Sequence, residues 1–505
     1  MNNLAQVLRS VVPQAYYVGG IVRNGLLKRE SSDIDLALPP QEVAAAAKKL
    51  AKALNAAVFE MDAEFGVWRL VTHRDKIQID LTAFQGDNLK ADLLRRDFAF
   101  NALAYPVTSP VKVRVRPQKN HNAQVLLQQL RKADIIDYTQ GVKDVEDRLI
   151  DRTHPRVFRE DPLRMLRAFR MAAELKFTIS SRTLQQIKKD APLIVQAAGE
   201  RVHEELVRLF ATSCAYEKIS QMDACGLLTA LFPELEAQRA CAEVYYGKGG
   251  VLTHTLLVFK RMEYLLDHLP KAFARHAKQL AVYGTQKPLF KMAALLHDVA
   301  KPSTAKEVKG RLRFFYHEQK GADMARRILE RLHYSRAEIR LICAMIGAHL
   351  RPSNLASNDV ITDRGAYHFF RDMGEAALPL LLLCWADYTS YISDSQLRRI
   401  LPKSNEPMMT LAQAQKKQNV GKTLRHLQVL SLLLRKFFEH PQVVRPERLL
   451  SGKEVMEILH LPSGPLIGRA LEALAEAQVE GKVKDRTDAA AFLKTLQLDA
   501  DTTQK

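Results

Sequence analysis

Two aspartates stand two residues apart in the stretch YYVGGIVRNGLLKRESSDIDLAL, which spans residues 16–38. The pattern predicts a strand, a Gly19-Gly20 turn that opens a short helix, and a second strand that carries Asp33 and Asp35. Side chains two apart on a strand point to the same face, so these carboxylates would lie side by side. Adjacent oxygen ligands suit Mg²⁺, and a glycine turn at the start of a helix lets backbone N–H groups approach a phosphate.

Arg23 in the short helix adds a positive fork that suits phosphate. The stretch therefore predicts a phosphoryl- or nucleotidyl-transfer site, although a lone Gly-Gly or Asp-x-Asp is more often a solvated turn. Asp80 favours the catalytic interpretation, because it lies in the predicted strand KIQIDLTAF, residues 76–84, between two apolar neighbours. An ionised carboxylate there is costly unless it is paired or bound to a cation. Asp80 is therefore the candidate for a third carboxylate.

Other residues must position these groups, and their patterns predict the elements in order. We expect a helix over residues 43–57, strands over 67–71 and 76–84, and a flexible loop over 85–90. The stretch DLLRRDFAFNALAY, residues 92–105, is predicted to be helical and carries Arg96, Asp97 and Asn101. A surface cluster of salt bridges is the alternative interpretation of its Arg-Arg-Asp sequence.

Composition narrows the class of protein. A length of 505 residues predicts three or four domains of roughly 150 residues each, and an apolar fraction of 47% is enough for their cores. The net charge of +19 indicates a polyanionic partner, with nucleic acid favoured over an anionic membrane surface. No apolar run is long enough for a membrane span and the first residues do not resemble a signal peptide, so we expect a cytoplasmic protein without a membrane partner. Five cysteines without a Cys-x-x-Cys pair argue against a disulfide framework or a zinc ribbon.

The motifs VGGIVRN, SSDIDLAL and DLLRRDFAFNALAY occur here in an order and spacing that resembles one known family. This is the family of class II tRNA nucleotidyltransferases (CCA-adding enzymes) and bacterial poly(A) polymerases, which add nucleotides to RNA 3′ ends without a nucleic-acid template. The resemblance covers most of the chain. One departure is Asn24, where the family usually has an aspartate.

The resemblance implies an α+β fold, with an N-terminal nucleotidyltransferase palm of mixed sheet and helices followed by a mostly α-helical neck, body and HD domain. Four domains are expected: a catalytic head over 1–140, a helical neck for base recognition and RNA binding over 141–245, an HD metal-binding domain over 246–403, and a helical RNA-binding tail over 404–505. Residues 107–133 form an expected insertion in the head. It contains no acidic residue, and an RNA-touching arm and a solvated loop both stay open as interpretations. Its six basic residues are Lys112, Arg114, Arg116, Lys119, Arg131 and Lys132.

A second stretch, RVFREDPLRMLRAFRMAAELKF over residues 156–177, predicts a helix with a proline in its first turn. Arg164, Arg167 and Arg170 follow at steps of three, which puts neighbouring members within reach of a common ligand. Asp161 and Arg164 would offer acceptor and donor groups to the edge of a base. A charged face of an amphipathic helix would show the same pattern. In the family, this segment resembles the surface that reads the incoming base, with the later arginines near the triphosphate.

Two residues of GERVHEELVRLF, Glu200 and Arg201, match the family's last motif and are expected to support the base-reading helix. Beyond residue 250, histidines and aspartates recur at or near the ends of apolar helical runs. Such side chains suit transition metals and could hold two ions, although a lone histidine on an apolar helix is most often a core residue. The six candidate ligands are His254, His297, Asp298, His317, His349 and Asp387. This second set resembles the HD superfamily of metal-dependent phosphohydrolases, which is an accessory domain in tRNA nucleotidyltransferases.

The activity implied is two-metal nucleotidyl transfer to the 3′ end of tRNA or another RNA, with ATP and CTP as donors and two Mg²⁺ ions on Asp33 and Asp35, assisted by Asp80. The residues implied in nucleotide binding are Gly19, Gly20, Arg23, Arg96, Asp97, Asn101, Asp161, Arg164, Arg167 and Arg170. Addition of CCA, of its terminal A, or of poly(A) uses nearly the same motifs. The loop over 85–90 favours an enzyme that does more than add CC, and the absence of an Arg-Arg-Phe-Arg-like run after Asp35 disfavours the poly(A) branch.

Two alternatives of another class stay open. One is an HD-type phosphohydrolase with a divalent transition metal and an RNA-binding N-terminal domain. The other is a non-catalytic RNA-binding protein, which the three retained carboxylates disfavour.

Overall fold

A mixed sheet of seven strands, with helices around it, forms the frame of the first candidate site. The structure is a computed structural model and describes residues 4–63, 66–118 and 121–496. The chain divides into two units, Met1–Leu209 with Gln221–Leu231 and Phe210–Ser220 with Phe232–Lys505. The expected α+β class is confirmed, because the strands concentrate near the N-terminus and the rest is mostly helical. The finer division into four domains stays a prediction.

The seven strands of the main sheet lie in the order β3-β4-β5-β2-β1-β6-β9, and four further strands pair in the first unit. They are β1 (Tyr16–Val18), β2 (Asp33–Leu38), β3 (Ala56–Asp62), β4 (Val67–Thr72), β5 (Gln78–Ala83), β6 (Leu103–Pro106), β7 (Lys112–Gln118), β8 (His121–Gln128), β9 (Ile136–Asp137), β10 (Leu149–Ile150) and β11 (Thr178–Ile179). Only β2 and β5 pair in parallel within the main sheet. In the part of the second unit that the structure describes, β12 (Ala305–Val308) and β13 (Arg311–Phe314) form one hairpin.

Helices occupy most of the remaining chain. Up to residue 231 they are α1 (Leu4–Val11), α2 (Gly20–Leu26), α3 (Val43–Leu54), α4 (Leu89–Leu94), α5 (Gly141–Glu146), α6 (Val157–Glu160), α7 (Leu163–Leu175), α8 (Ser181–Asp190), α9 (Gly199–Ala211), α10 (Ala215–Ala224) and α11 (Leu227–Leu231). From there they are α12 (Glu243–Tyr246), α13 (Gly250–Asp267), α14 (Leu269–Ala272), α15 (Ala277–Leu280), α16 (Lys287–Leu296), α17 (Lys301–Thr304), α18 (His317–Arg331), α19 (Arg336–Gly347), α20 (Arg351–Leu355), α21 (Asp363–Met373), α22 (Ala377–Ser390), α23 (Asp394–Ile400), α24 (Leu411–Lys416), α25 (Gln418–Glu439), α26 (Pro441–Val444), α27 (Gly452–Leu459), α28 (Pro465–Val479) and α29 (Arg486–Thr495). Within the described chain, no helix combines the length and apolarity that a membrane crossing needs.

The strand β2 shows why the aspartate pair faces away from the core. Ile34 and Leu36 alternate with the aspartates and are fully buried, as are Ile79 and Leu81 on the neighbouring strand β5. Burying one face of a strand fixes its register, because a slip by one residue would exchange the two faces. The carboxylates are therefore held on the opposite face from this apolar layer.

Two secondary-structure predictions are wrong. Residues 92–105 are not one helix: α4 ends at Leu94, a short 3₁₀ turn spans 99–101, and β6 follows within the sheet. An apolar run that is buried on both faces lacks the period that separates strand from helix. The helix predicted over 43–57 ends at Leu54, where Asn55 takes a left-handed conformation, and the unpredicted strand β3 begins directly afterwards.

The expected insertion is a β-hairpin, formed by β7 and β8, rather than a solvated loop. It lies between β6 and β9, which pair with each other, as expected of an insertion into a sheet connection. Two predicted features lie outside the described residues: Lys119 of the expected insertion, and residues 497–505 of the expected tail.

Candidate functional site

Three carboxylates meet on the polar face of the sheet. One oxygen each from Asp33, Asp35 and Asp80 lies within 4.8 Å of the others. The parallel pairing of β2 with β5 sets Asp35 directly beside Asp80, and neighbours across a sheet share a face. The sequence prediction that these three side chains form one cluster is therefore matched by their positions.

The cluster contains more negative charge than its surroundings balance. Burial, with added repulsion from Asp33 and Asp80, raises the pKa of Asp35 to about 7. Burial likewise raises the pKa of Asp33 above its ordinary value. Three carboxylates at this separation are hard oxygen ligands that a divalent cation would relieve of their repulsion, so the residues fit Mg²⁺.

Arg69 is a part of this cluster that the sequence interpretation missed. It lies opposite Asp80 in the antiparallel pairing of β4 with β5. Its Nε and Nη2 donate to the two carboxylate oxygens of Asp80, each at 2.8 Å. A two-pronged contact of this kind fixes the plane of the carboxylate, so Arg69 orients Asp80.

A cavity of about 290 Å³ opens beside Asp35. Glycine backbone, guanidinium groups and carboxylates line it, as expected of a site for a phosphate-bearing ligand. Its lining residues are Gly19, Gly20, Asp35, Arg96, Asp97, Asn101, Asp161, Leu163, Arg164, Arg167 and Arg201. Eight of the ten residues predicted for nucleotide binding are among them, and Arg23 and Arg170 are not.

Gly19 allows a close approach at the mouth of this cavity. Its φ of +67° is strained for any residue with a side chain, and a Cβ there would lie 2.9 Å from Nη1 of Arg96. Arg96 is itself held by Asp92, which accepts hydrogen bonds from its Nη2 at 2.9 Å and its Nε at 3.2 Å. Asp92 also accepts a hydrogen bond from the backbone N–H of Gln85, which links the loop after β5 to the arginine.

A chain of polar contacts runs along the floor of the cavity. Arg167 Nε lies 2.6 Å from Asp97, whose other oxygen accepts hydrogen bonds from the side chain of Asn101 and from the N–H of Phe98. Burial alone would raise the pKa of Asp97, but Arg167 and these hydrogen bonds hold it below its usual value. Asp97 therefore stays ionised and fixes two neighbours.

Arg23 does not line the cavity, and its guanidinium contacts two asparagines of the protein. Its Nη1 donates to Asn101 at 2.6 Å, and its Nε and Nη2 donate to the side-chain oxygen of Asn24 at 3.0 and 2.9 Å. Burial lowers the pKa of this guanidinium to about 10, although it remains charged at neutral pH. Asn24 thus supplies the acceptor that an aspartate would supply, but without a counter-charge.

The base-recognition candidates lie where α6 ends and α7 begins. Asp161 and Arg164 both line the cavity. Arg201 on α9, expected only to support this helix, also lines the cavity and donates to Asp161 at 2.8 Å through Nη2. Its second contact, from Nη1, is 3.4 Å long. Arg201 therefore sets the orientation of the Asp161 carboxylate.

Arg170 does not reach the cavity. It is 3% exposed and donates to Glu205 on α9 and to Glu174 on its own helix, each at 2.6 Å. The step of three residues from Arg167 turns it by about 300° around the helix, towards the interior. Arg170 connects α7 to α9 instead of facing a ligand.

The second unit brings together all six residues predicted as HD ligands. His254, His297 and Asp298 form one group with ligand atoms within 4.8 Å of each other, and Asp298, His317 and His349 form another. The Asp387 carboxylate lies 3.3 Å from Nε2 of His254 and completes the first group. Asp298 is common to both groups.

The imidazoles of this cluster are oriented as metal ligands are. The Nδ1 atoms of His297, His317 and His349 each lie 2.7 to 2.9 Å from a backbone carbonyl three residues earlier. A neutral imidazole that donates through Nδ1 leaves the Nε2 lone pair free. Nε2 of His254 and of His297 is buried without a well-formed hydrogen bond to any described residue. Buried polar atoms without partners are costly, so the residues present fit one or two cations.

Lys301 is a neighbour of this cluster that the sequence interpretation missed. Its Nζ lies 2.6 Å from Asp298 and donates to the hydroxyl of Tyr246 at 2.8 Å. Burial alone would lower its pKa, but the charge of Asp298 raises it, so the ammonium is fully charged at neutral pH. It partly balances the acidic groups.

Comparison with known proteins identifies three regions of the sequence. The family description "Poly A polymerase head domain" matches residues 15–151, "Probable RNA and SrmB-binding site of polymerase A" matches 176–239, and "HD domain" matches 251–392. The A-adding tRNA nucleotidyltransferase of Deinococcus radiodurans is 30% identical over 488 residues, 95% of each chain. The CC-adding tRNA nucleotidyltransferase of Thermus thermophilus is 30% identical over 489 residues, 95% of this chain and 93% of that protein.

A solved structure extends the likeness to the fold. A CCA-adding enzyme in complex with ATP aligns with a TM-score of 0.62 and 17% identity, over 100% of this chain and 94% of that one. Both candidate sites therefore lie within regions that the known proteins share.

Proposed function

Because the chain belongs to the family of tRNA nucleotidyltransferases and bacterial poly(A) polymerases with an HD domain, we propose that it adds nucleotides from CTP or ATP to the 3′ end of tRNA. The observation that carries this proposal is the position of the carboxylate cluster, Asp33, Asp35 and Asp80, at the edge of a cavity lined by arginines and glycine backbone. Nucleotidyl transfer needs this arrangement, since a triphosphate and a hydroxyl must meet beside bound cations.

The three carboxylates would hold the divalent ions. Mg²⁺ bound there would lower the pKa of the attacking 3′ hydroxyl and stabilise the charge of the pyrophosphate that leaves. Asp33 and Asp35 provide adjacent ligands on β2, and Arg69 keeps Asp80 in a fixed plane beside them.

Residues of the cavity would bind the triphosphate. Gly20 lines it at the first turn of α2, where helix N–H groups lack partners within the helix. Arg96, held by Asp92, and Arg164 add positive charge that can be distributed over the phosphate oxygens. Fixing the phosphates in this way would orient the α-phosphorus for attack.

Asp161 and Arg164 would select the base. A carboxylate accepts hydrogen bonds and a guanidinium donates them, so together they can match the exocyclic amino group and ring nitrogen of cytosine or adenine. Arg201 holds the acceptor in place. A protein surface would thus supply the pattern that a template base supplies elsewhere.

We include ATP among the substrates, so that the product is CCA or its terminal A. One observation supports this, since an A-adding and a CC-adding relative are each 30% identical over 95% of this chain and do not separate the two activities. The loop after β5, present here, is linked through Asp92 to Arg96 in the cavity, so its movement can change how a nucleotide is held.

The test uses three tRNA transcripts, which lack CCA, end in C or end in CC, each incubated with Mg²⁺ and with CTP, ATP or both. We expect incorporation of A on the transcript that ends in CC, and sequencing of the products then separates CCA addition from A addition. Asp33→Ala should abolish incorporation, whereas Asp75→Asn, in the turn between β4 and β5, should leave it unchanged. Incorporation by Asp33→Ala at the wild-type rate would contradict the proposal, as would a wild type that adds only C or long poly(A).

A second activity is supported by the buried cluster around Asp298. Buried histidine Nε2 atoms that lack a well-formed hydrogen bond to any described residue, together with two carboxylates, suit a metal-dependent phosphohydrolase. We expect hydrolysis of a 2′,3′-cyclic nucleotide or of bis(p-nitrophenyl) phosphate with Mn²⁺, Co²⁺ or Ni²⁺. His297→Ala should abolish it and Asp33→Ala should not. Equal loss in both variants, with unchanged folding, would refute the assignment to this cluster.

A further inference from the structure

The outer face of the β7–β8 hairpin carries a row of cations. Lys112, Arg114 and Arg116 occupy every second position of β7 and are exposed, while Val113 between them is buried. Alternation places the three cations on one face, with successive side chains about 6.8 Å apart. We call these three residues, with the strand that carries them, the basic ribbon.

The cations of the basic ribbon are largely without ion-pair partners among the described residues. Among the described residues, Lys112 and Arg114 have no ion pair, and the carboxylate near Arg116 is that of Glu30 at 3.8 Å. The side chain of Arg116 is 69% exposed. Across the hairpin, their neighbours on the same face are Gln124, Leu126 and Gln128, which carry no charge. A surface whose charges pair with one another would carry acidic side chains between the basic ones. This face of the hairpin carries none among its described residues.

The hairpin is fixed to the first unit along its length. Its inner face buries Val113, Ala123, Val125 and Leu127. A Cβ on Gly25 of α2 would lie 3.1 Å from the Cβ of Leu127, so the absence of a side chain there allows tight packing. The basic ribbon is therefore held ready for a ligand instead of being ordered by one.

The hairpin that carries the basic ribbon is joined through its other strand, β8, to the strands of the carboxylate cluster. Ser31 and Val125 exchange two backbone hydrogen bonds of 2.7 and 2.8 Å, two residues before Asp33. Asn122 on β8 donates to the side chain of Gln78, which is the cross-strand partner of Asp33. The nucleotide cavity opens beside Asp35, whereas the hairpin contacts the strand at its Asp33 end. The attacking RNA strand and the triphosphate must approach the ions from different directions. A hairpin at the Asp33 end and a cavity beside Asp35 would provide two such directions.

We propose that the basic ribbon binds the sugar–phosphate backbone of the RNA strand whose 3′ hydroxyl reacts. Cations at this regular spacing along a strand can each meet one of several successive phosphates, without regard to base sequence. The region that matches the RNA-binding family description, residues 176–239, lies elsewhere in the sequence, so this surface is additional to it. The inference rests on the proposed function for the location of the reacting end, but not for the binding itself.

The test replaces the three cations by Lys112→Gln, Arg114→Gln and Arg116→Gln in one full-length variant. At saturating ATP we expect the KM for a tRNA ending in CC to rise about tenfold or more, with kcat and the KM for ATP within about twofold of wild type. The slope of log affinity against log salt should become shallower by about 2 to 3, since three phosphate contacts are lost. A charge-retaining variant, Lys112→Arg with Arg114→Lys and Arg116→Lys, should recover most of the affinity.

The matched control is Lys48→Gln with Lys49→Gln and Lys52→Gln, which removes the same charge from the exposed side of α3. An equal loss of affinity in this control would overturn the proposal, because net charge alone would then explain the effect. Unchanged KM and salt slope in the ribbon variant would overturn it too. Ethylation of single phosphates near the RNA 3′ end should interfere with binding to wild type and no longer with binding to the variant.

Direct binding by fluorescence anisotropy separates this inference from the proposed function. If wild type adds no nucleotide to any transcript, the proposed function fails, yet the difference in RNA affinity between wild type and ribbon variant still tests the ribbon. If wild type adds nucleotides and the two proteins bind RNA equally, the ribbon proposal alone is wrong.

Discussion

Replacing Arg69 by glutamine should weaken Mg²⁺ binding at the carboxylate cluster without touching the cavity. Arg69 holds both oxygens of Asp80 at 2.8 Å, and its charge also favours the ionised form of Asp33. Without it, the Asp80 carboxylate loses the two contacts that fix its plane and can rotate away from the pair on β2. The repulsion between the three carboxylates also grows, so that they separate or take up a proton in the absence of an ion.

The magnitude follows from distance and exposure. Two unit charges at about 4 Å attract by about 4 kcal/mol near a protein surface and about 1 kcal/mol in water. The side chain of Arg69 is 36% exposed, so solvent screening brings the effect towards the lower value, about 1.5 kcal/mol. Because Arg69 is itself a cation, losing this attraction leaves the cluster more negative and by itself favours Mg²⁺ by about tenfold. Loss of the fixed carboxylate orientation acts the other way and typically costs about 10- to 100-fold in metal affinity, so at the upper end of that range we expect an affinity about tenfold weaker.

The assay is incorporation of labelled A into a tRNA ending in CC over a range of Mg²⁺ concentrations. We expect Arg69→Gln to raise the half-saturating Mg²⁺ concentration about tenfold, with kcat at saturating Mg²⁺ within about threefold of wild type. Arg69→Lys should lie between the two, because an ammonium keeps the charge and loses the fork. The control is Arg74→Gln, whose side chain is 90% exposed. A lower Mg²⁺ requirement in Arg69→Gln would refute the reasoning, since it would mean that Arg69 competes with the ion for Asp80.

Three other substitutions probe different parts of the first unit. Gly19→Ala would place a methyl group 2.9 Å from Arg96 at a φ of +67°, so we expect a stability loss of about 1 kcal/mol and a KM for ATP raised several-fold. The control is Gly20→Ala, whose methyl group would have its nearest contact at 3.6 Å and should change the KM for ATP much less. Arg170→Met leaves the buried Glu205 without its counter-charge, whereas Glu174 keeps Arg208, and it should cost about 3 kcal/mol in thermal or urea unfolding. A KM for ATP raised at unchanged stability would instead restore the predicted role of Arg170 at the triphosphate. Burial, assisted by the charge of a neighbouring aspartate, raises the pKa of Asp144 to about 7, so the folded protein prefers the protonated form and loses stability as pH rises from about 4 to 7. Asp144→Asn should therefore be about 1 to 2 kcal/mol more stable than wild type at pH 8 and equal to it at pH 4, and an equal effect at both values would contradict this.

The local parts of the fold could be read from the sequence. The strand β1, the helix α2 and the strand β2 are each encoded by short-range signals: a glycine turn, an apolar-polar alternation and a change of period. The same holds for the hairpin strands β4 and β5. The strand β6 could not be recognised in this way, because its apolar residues face other elements on both sides and carry no alternation.

The site residues that are neighbours in sequence could be predicted. Those that strand pairing or helix packing brings together could not. Asp33 and Asp35 are two apart, but Arg69 is linked to Asp80 only by the register of a hairpin, which could have been drawn around the turn at residues 73–76. Arg201 lies 40 residues from Asp161 and no short-range pattern connects them. Arg170 shows the converse: its spacing suggested a ligand contact, while the packing of α7 on α9 directs it to an internal glutamate.

The helix α1 controls the shape of a surface that is remote from it in sequence. Arg9 donates to the carbonyl oxygens of Val107, Ser109 and Val111, at 3.4, 3.0 and 3.4 Å, and thereby ties down the segment that enters the basic ribbon. These contacts span 98 to 102 residues of chain. A purification tag, a truncation or an adaptive substitution that disturbs α1 would therefore behave as a substrate-affinity mutation. In any survey of variants, changes near residue 9 would group with those of residues 107–118 and not with their neighbours in sequence.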